Sequence, residues 1–253
     1  AVPLFGHSSL NYYGGYKSLI GYDWKVSRRK GKVFPKLLYT DSERGRSIDI
    51  EIDGRRQHIV LDGSNPTTVK LEKSRVKWGN LYRKPGKGVF GYVEEEGLPL
   101  VNVGAAGSGW KPVIGFRYGE IYTEAIQLRE SILFLQEIES EKEQTIAVEL
   151  GSGNGVYVLL NGAYITAHLS PQKVKYGKEV LLLPLRKGLN QLIIKQYNGY
   201  EEELAYSLQP LDEWTIYSLQ LPETRITQSV SVRAADAESK VAPLRMNNLM
   251  IIR

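Results

Sequence analysis

The chain has 253 residues, no cysteine, 42% hydrophobic and 24% charged residues, and a formal net charge of +5. The lack of cysteine excludes disulfides and thiolate metal sites. The balance of residues is typical of a soluble protein with one large or two medium domains. No run reaches the about 18 consecutive apolar residues of a membrane span. The densest basic segment, residues 25–32, is too isolated to favour nucleic acid as a partner.

Short alternating or apolar segments separated by glycine and proline predict β-strands throughout, and helix signals are nearly absent. Strands are expected at 16–26, 33–40, 48–52, 57–61 and 67–71, with 78–84 ambiguous and 89–93 extended, and then at 121–128, 132–138, 146–150, 156–160, 180–185, 191–197, 214–221, 229–234 and 249–253. We therefore expect an all-β chain of two tandem antiparallel β-sandwich or jelly-roll modules. The glycine-rich, almost uncharged segment 97–109 predicts the junction, and so modules at 1–108 and 109–253.

The clearest local signal is the segment TIAVELGSGNGVYVLLNGAYIT at 145–166. It predicts a strand, a glycine-rich turn, a second strand, a tight hairpin and a third strand. The pair Asn161-Gly162 suits a type I′ turn because both central residues of that turn need a positive φ.

The same pattern occurs earlier in the chain. Residues 42–52 align without a gap on 140–150, and 58–63 align on 157–162. Such a match indicates an internal duplication, which would make the first module a diverged copy of the second. The alternative is chance recurrence of a common strand pattern.

Residues 134–162 and 180–198 carry a more specific pattern. In the second segment Leu185, Gly188, Asn190, Leu192, Ile194, Lys195, Tyr197 and Asn198 fit L-x-x-G-x-N-x-L-x-[IV]-K-x-Y-N. Residues 115–253 thus resemble galactose-binding-like jelly rolls. The resemblance is greatest to the ancillary C-terminal modules of secreted bacterial glycoside hydrolases, particularly α-L-fucosidases of glycoside hydrolase family 29. The shared motifs are structural, so they bear on the fold more than on the activity.

The resemblance implies a non-catalytic carbohydrate-binding or structural accessory region of a secreted or periplasmic glycoside hydrolase. It also implies a catalytic domain in the same polypeptide and no cofactor, although a structural calcium ion would be compatible with it. Two alternatives stay open. The chain is the C-terminal fragment of an α-L-fucosidase, or it is a free-standing surface scaffold or adhesion protein.

No catalytic or metal site is visible in the sequence. Glycoside hydrolysis needs two carboxylates that flank the scissile bond. The densest acidic group, 94–96, is interpreted as a solvated loop before Gly97. The three histidines, His7, His58 and His168, are too scattered to predict a metal site.

Two predicted loops combine aromatic rings, which stack on sugars, with side chains that donate to hydroxyl groups. One is 167–178, after the Asn-Gly hairpin, and the other is 78–83, its approximate counterpart in the first module. The candidate sugar-binding residues are His168, Gln172, Lys175, Tyr176, Trp78, Tyr82 and Arg83. The alternative is that these loops pack one module against the other.

Overall fold

The computed structural model describes residues 2–3, 8–12, 20–25, 34–40, 44–88, 93–152, 155–168, 178–199, 203–221, 229–235 and 246–252. These residues contain strands and one 3-10 turn, Lys73–Arg75, and none of them is α-helical. No helix among them is therefore long and apolar enough to cross a bilayer. Every strand pair with a described register is antiparallel, which confirms the all-β prediction.

The strands are β1 (Val2–Pro3), β2 (Ser8–Tyr12), β3 (Ile20–Lys25), β4 (Phe34–Thr40), β5 (Ser47–Ile52), β6 (Arg55–Val60), β7 (Thr67–Lys70), β8 (Val76–Pro85), β9 (Lys111–Pro112), β10 (Tyr122–Ala125), β11 (Ser131–Ser140), β12 (Gln144–Ser152), β13 (Gly155–Leu160), β14 (Ala163–His168), β15 (Lys178–Leu185), β16 (Gly188–Tyr197), β17 (Glu203–Leu211), β18 (Glu213–Gln220), β19 (Ser229–Ala234) and β20 (Met246–Ile252).

The chain forms two compact units. The first unit combines Ala1–Thr68 with Thr215–Arg253, and the second unit is Val69–Trp214. This division differs from the expected boundary after residue 108. Strand pairing explains the difference, because β19 pairs with β3 and β5, and β20 pairs with β4, at the other end of the chain. β8, which was assigned to the first module, pairs with β11.

The first unit has two five-stranded sheets, in the orders β1-β20-β4-β18-β7 and β2-β3-β19-β5-β6. Its described core includes the fully buried Leu37, Tyr39, Ile48 and Leu61. The hydroxyl oxygen of Tyr39 accepts a hydrogen bond from the backbone N–H of Gly63 at 2.9 Å. This bond gives the one polar atom of a buried ring a partner.

The second unit is a sandwich of a four-stranded sheet, β10-β17-β12-β15, and a six-stranded sheet, β14-β13-β16-β11-β8-β9. From β11 to β13 and from β15 to β17, successive strands alternate between the two sheets, as they do in jelly rolls. The core between the sheets is aliphatic, with Phe134 stacked on Tyr206 at 4.6 Å between ring centroids. β11, β13 and β16 read as long apolar runs because both of their faces are buried, one in this core and the other under a cluster on the outer face of the six-stranded sheet.

The Asn161-Gly162 prediction is confirmed. The two residues have φ values of 53° and 76° and join β13 to β14. The segment after β8 lies directly over this turn, since the N–H of Gly97 donates to the carbonyl of Gly162 at 2.8 Å. The turn is therefore both a hairpin and a packing surface.

Asn190 shows why the motif that carries the family resemblance is structural. Its side chain is fully buried at the turn between β15 and β16. Nδ2 donates to the carbonyls of Arg186 and Gly188, and Oδ1 accepts from the N–H of Arg186 and from Nδ2 of Asn161. One amide thus closes its own turn and holds the neighbouring hairpin.

The two segments aligned as a repeat do not have the same topology. β5 and β6 pair with each other across the Asp53-Gly54 turn. Their sequence counterparts, β12 and β13, lie in different sheets. The matching pattern of apolar residues therefore specifies strands in both places without specifying how they pair, and a duplication stays a prediction.

Candidate functional site

A cleft of about 220 Å³ opens in the second unit beside β8, β9, β10 and the start of β11. Its lining is a set of charged side chains next to a small apolar wall. The charged residues are Arg83, Lys84, Lys111, Glu124 and Glu130, and the others are Pro85, Ile126, Ser131 and Ile132. This mixture suits a small polar ligand with one less polar face.

A β-bulge in β8 positions Arg83. The register between β8 and β11 shifts between Gln136 and Ile138, so the inward-facing residues change from even to odd numbers along β8. Leu81 therefore joins the core between the sheets, and Arg83 follows it on the same face. Arg83 lies opposite Phe134, where that face meets the cleft.

Arg83 forms an ion pair with Glu124 of β10. The second carboxylate oxygen of Glu124 accepts a hydrogen bond from the hydroxyl of Tyr122 at 2.6 Å. Partial burial and this bond to a carboxylate raise the pKa of Tyr122 to about 12, so the phenol keeps its proton. Both oxygens of Glu124 are thus engaged, and its orientation is fixed.

The other polar groups of the cleft are partly engaged as well. The hydroxyl of Ser131 donates to the backbone carbonyl of Lys87. Oε2 of Glu130 accepts from the N–H of Gln127 at 3.1 Å. Lys111 is exposed and makes no ion pair with a residue in the described part of the chain.

The acidic segment 94–96 is a turn whose last glutamate is exposed, and the interpretation as a solvated loop was wrong for Glu95. Glu95 is only 4% exposed and forms an ion pair with Lys84, whose Nζ lies 4.6 Å from the ring centroid of Trp110. Val93, also buried, anchors the turn on the outer face of the six-stranded sheet. Because the apolar residue before the three glutamates packs on the sheet, one of these glutamates is buried beside it.

Tyr157 and Lys195 also interact with the glutamates of this turn. The hydroxyl of Tyr157 donates to Glu96 at 2.9 Å. Lys195 is 1% exposed, and its pKa is lowered by burial, against which the charges of Glu94 and Glu95 act. Lys195 belongs to the resemblance motif, so the motif again serves packing on the outer face of the sheet.

The structure separates the candidate residues predicted at 78–83. The segment is the strand β8 and not a loop, so that part of the prediction was wrong. Trp78 faces the core, with its ring edge-to-face to Tyr118 at 5.3 Å. Tyr82 is half-buried on the opposite face, where it packs against the cluster that contains Trp110. Of the three, Arg83 alone lines the cleft.

The other candidate residues follow β14. His168 is the last residue of that strand, pairs with Val156, and so does not lie in a loop as expected. Gln172, Lys175 and Tyr176 lie outside the described residues. A sugar site in 169–178 stays a prediction.

Sequence reasoning missed Glu124, Tyr122 and Lys111. The alternation Tyr122-Thr123-Glu124 places the ring and the carboxylate on one face of a strand, which is a signal available in the sequence. Nothing local indicates that this face meets Arg83, since the contact joins residues 41 positions apart.

No group of three or more histidine, aspartate or glutamate side chains is placed to hold a metal ion, as far as the described ranges extend. The residues of the cleft offer only two carboxylates, one of them paired with arginine. A structural calcium ion therefore stays an untested expectation.

No family model matches the chain, and no curated protein matches it. Solved structures similar to it include a GH31 α-xylosidase from Xanthomonas citri, at 8% identity over 86% of this chain and 26% of that one, with a TM-score of 0.31. Another is the Epithelial Adhesin 9 A domain from Candida glabrata in complex with Galb1-4GlcNAc, at 8% identity, 69% and 98% coverage and a TM-score of 0.29. An anti-sigma factor domain-containing protein has 11% identity, 82% and 81% coverage and a TM-score of 0.29.

These neighbours are β-rich, and the first two are a glycoside hydrolase and a carbohydrate-binding domain. The chain spans about a quarter of the xylosidase, 26% of its length. Identities and TM-scores this low carry no argument about function.

Proposed function

We propose that this chain is a non-catalytic carbohydrate-binding region that holds a saccharide in the cleft beside Arg83. The observation that carries the proposal is the fixed Arg83–Glu124–Tyr122 group facing the apolar side chains of Ile126 and Ile132. Sugars present hydroxyl groups on their edges and C–H groups on their faces, so they suit a cleft with one charged and one apolar wall.

The same geometry argues against hydrolysis in this cleft. A glycosidase needs one carboxyl group to protonate the leaving oxygen and a second to act as nucleophile or base. Glu124 has one oxygen paired with Arg83 and the other hydrogen-bonded to Tyr122. Both oxygens of Glu124 therefore already have partners within the protein, and this carboxylate is not free to face a scissile bond. The cleft is therefore suited to binding.

We further propose that the chain is an accessory region of a secreted or periplasmic glycoside hydrolase, with the catalytic domain in the same polypeptide. The resemblance of 185–198 to ancillary modules of family 29 α-L-fucosidases supports this proposal. The buried, hydrogen-bonded Asn190 is consistent with a motif kept for the fold. A structural accessory role without a ligand is the outcome if no sugar binds.

A glycan array tests the binding proposal. The purified, fluorescently labelled chain is expected to bind a subset of neutral or acidic oligosaccharides on the array, and Arg83→Gln is expected to abolish this binding. The matched control is Arg117→Gln, since Arg117 is exposed and pairs only weakly with Glu120 at 3.6 Å. Retention of no glycan, or equal binding by Arg83→Gln and the unmodified chain, would contradict the proposal.

A further inference from the structure

Two cationic side chains lie next to each other on the wall of the cleft. Arg83 of β8 and Lys111 of β9 are direct partners in an antiparallel pair. Directly opposed residues project from the same face of a sheet, and like charges at such positions repel each other. Both residues line the cleft, so two positive charges lie side by side on the wall that a ligand would contact.

Two carboxylates, Glu124 and Glu130, line the cleft beside this pair of charges. Glu124 pairs with Arg83, and its second oxygen is engaged by Tyr122. Lys111 makes no ion pair with another residue of the described ranges. The ammonium group beside Arg83 therefore has no ion-pair partner in the described ranges and is available to an anionic group of a ligand.

The hydrogen-bonding capacity that remains points the same way. Each oxygen of Glu124 already has one partner, and Oε2 of Glu130 accepts from the N–H of Gln127. The hydroxyl hydrogen of Ser131 is also used. The donors without a partner in the described ranges are the other guanidinium N–H groups of Arg83 and the ammonium group of Lys111, which lie side by side on the wall. One anionic group can accept from both of them at once.

We propose that the saccharide bound in this cleft carries an acidic group, a carboxylate or a sulfate, which lies between Arg83 and Lys111. The inference rests on the proposed function and narrows its ligand class. A guanidinium fork and an ammonium group bind such anions through charge-assisted hydrogen bonds, which are about twice as strong as neutral ones. The ring then packs against Ile126 and Ile132.

Isothermal titration calorimetry with four probes tests the inference: galacturonic acid, galactose 6-sulfate, galactose and acetate. One or both acidic sugars are expected to bind at least about tenfold more tightly than galactose, the effect of one added charge-assisted contact. Acetate is expected to bind more weakly than the acidic sugars. The preference should fall as salt is added, because exposed charges are screened.

Lys111→Gln should bring the affinity for the acidic sugars close to that for galactose. Lys77→Gln removes the same charge from an exposed position of β8 outside the cleft and should leave the preference intact. Galactose binding as tightly as both acidic sugars would overturn this inference and leave the proposed function standing. Acetate binding as tightly as the acidic sugars would overturn it in favour of a bare anion site. Binding of no probe would overturn both proposals.

Discussion

Alanine at position 162 should weaken the second unit through two separate effects. The φ of Gly162 is +76°, a region in which a Cβ costs about 1–2 kcal/mol. The added Cβ would also lie 2.4 Å from the backbone oxygen of Leu98. That neighbour is main chain and cannot rotate away, so the segment at 97–98 has to move.

The second effect can be separated from the first by a matched glycine. Gly188 has a φ of +92°, and a Cβ added at this position would have no neighbouring atom within 4 Å. Gly188→Ala should therefore lower the stability of the unit only through the strained backbone conformation, by about 1–2 kcal/mol. Gly162→Ala adds the overpacking of a closed contact, about 1–3 kcal/mol, and loosens the hydrogen bond from Gly97. We expect a total loss of about 3 kcal/mol for Gly162→Ala.

Native-state hydrogen exchange measures this difference within the second unit itself. The slowest amides of β13 and β16 report the free energy of opening of this sandwich. Gly162→Ala should lower that free energy by at least about 1 kcal/mol more than Gly188→Ala does. Equal losses for the two variants would refute the proposed packing of residues 97–98 on the hairpin.

Three further predictions follow from single groups. Asn190→Asp should destabilise the second unit by about 2 kcal/mol or more in urea unfolding, because a carboxylate cannot donate to the two carbonyls that the amide serves; an unchanged midpoint would contradict this. Hydrogen bonds, from His58 first and then from Arg56, lower the pKa of Asp49. The charged carboxylate therefore contributes its full stabilisation of the fold at pH values above the usual aspartate pKa, and this contribution is lost as the pH falls through the lowered pKa. The melting difference between Asp49→Asn and the unmodified chain should therefore shrink below about pH 4, and a constant difference would count against it. The purified chain should not hydrolyse an aryl α-fucoside, and turnover lost on mutating one of its own carboxylates would overturn the binding-only role.

Local signals predicted local structure well. The dipeptide Asn161-Gly162 specified a hairpin because the positive φ that the turn needs is a property of those two residues. Short apolar runs located β11 and β16, whose inward side chains form the core. In these cases the local residues are enough to determine the local structure.

The pairing of strands could not be predicted in the same way. β19 lies between β3 and β5, far from both in the chain, and nothing in its residues specifies those partners. The bulge in β8 obscured another strand, since it changes the inward-facing positions from Trp78 to Leu81 and Arg83 and breaks the period of two. The candidate site depends on both effects.

The burial of charged residues was the second feature that the sequence did not predict. Three consecutive glutamates favour a solvated loop, and yet Glu95 is buried and forms an ion pair with Lys84, whose ammonium group lies over the ring of Trp110. Likewise Arg83 became a site residue through Glu124 and Lys111, which pairing brings to it from elsewhere in the chain. Such partners are visible only once the sheets are assembled.

The most direct test of the central claim is a map of the bound sugar by NMR. The isotope-labelled chain is titrated with fucose, galactose and galacturonic acid while backbone amide shifts are recorded. We predict saturable shifts at the residues that line the cleft, which are 83–85, 111, 124, 126 and 130–132. Shifts confined to residues 168–178, or no shift with any of the three sugars, would contradict it.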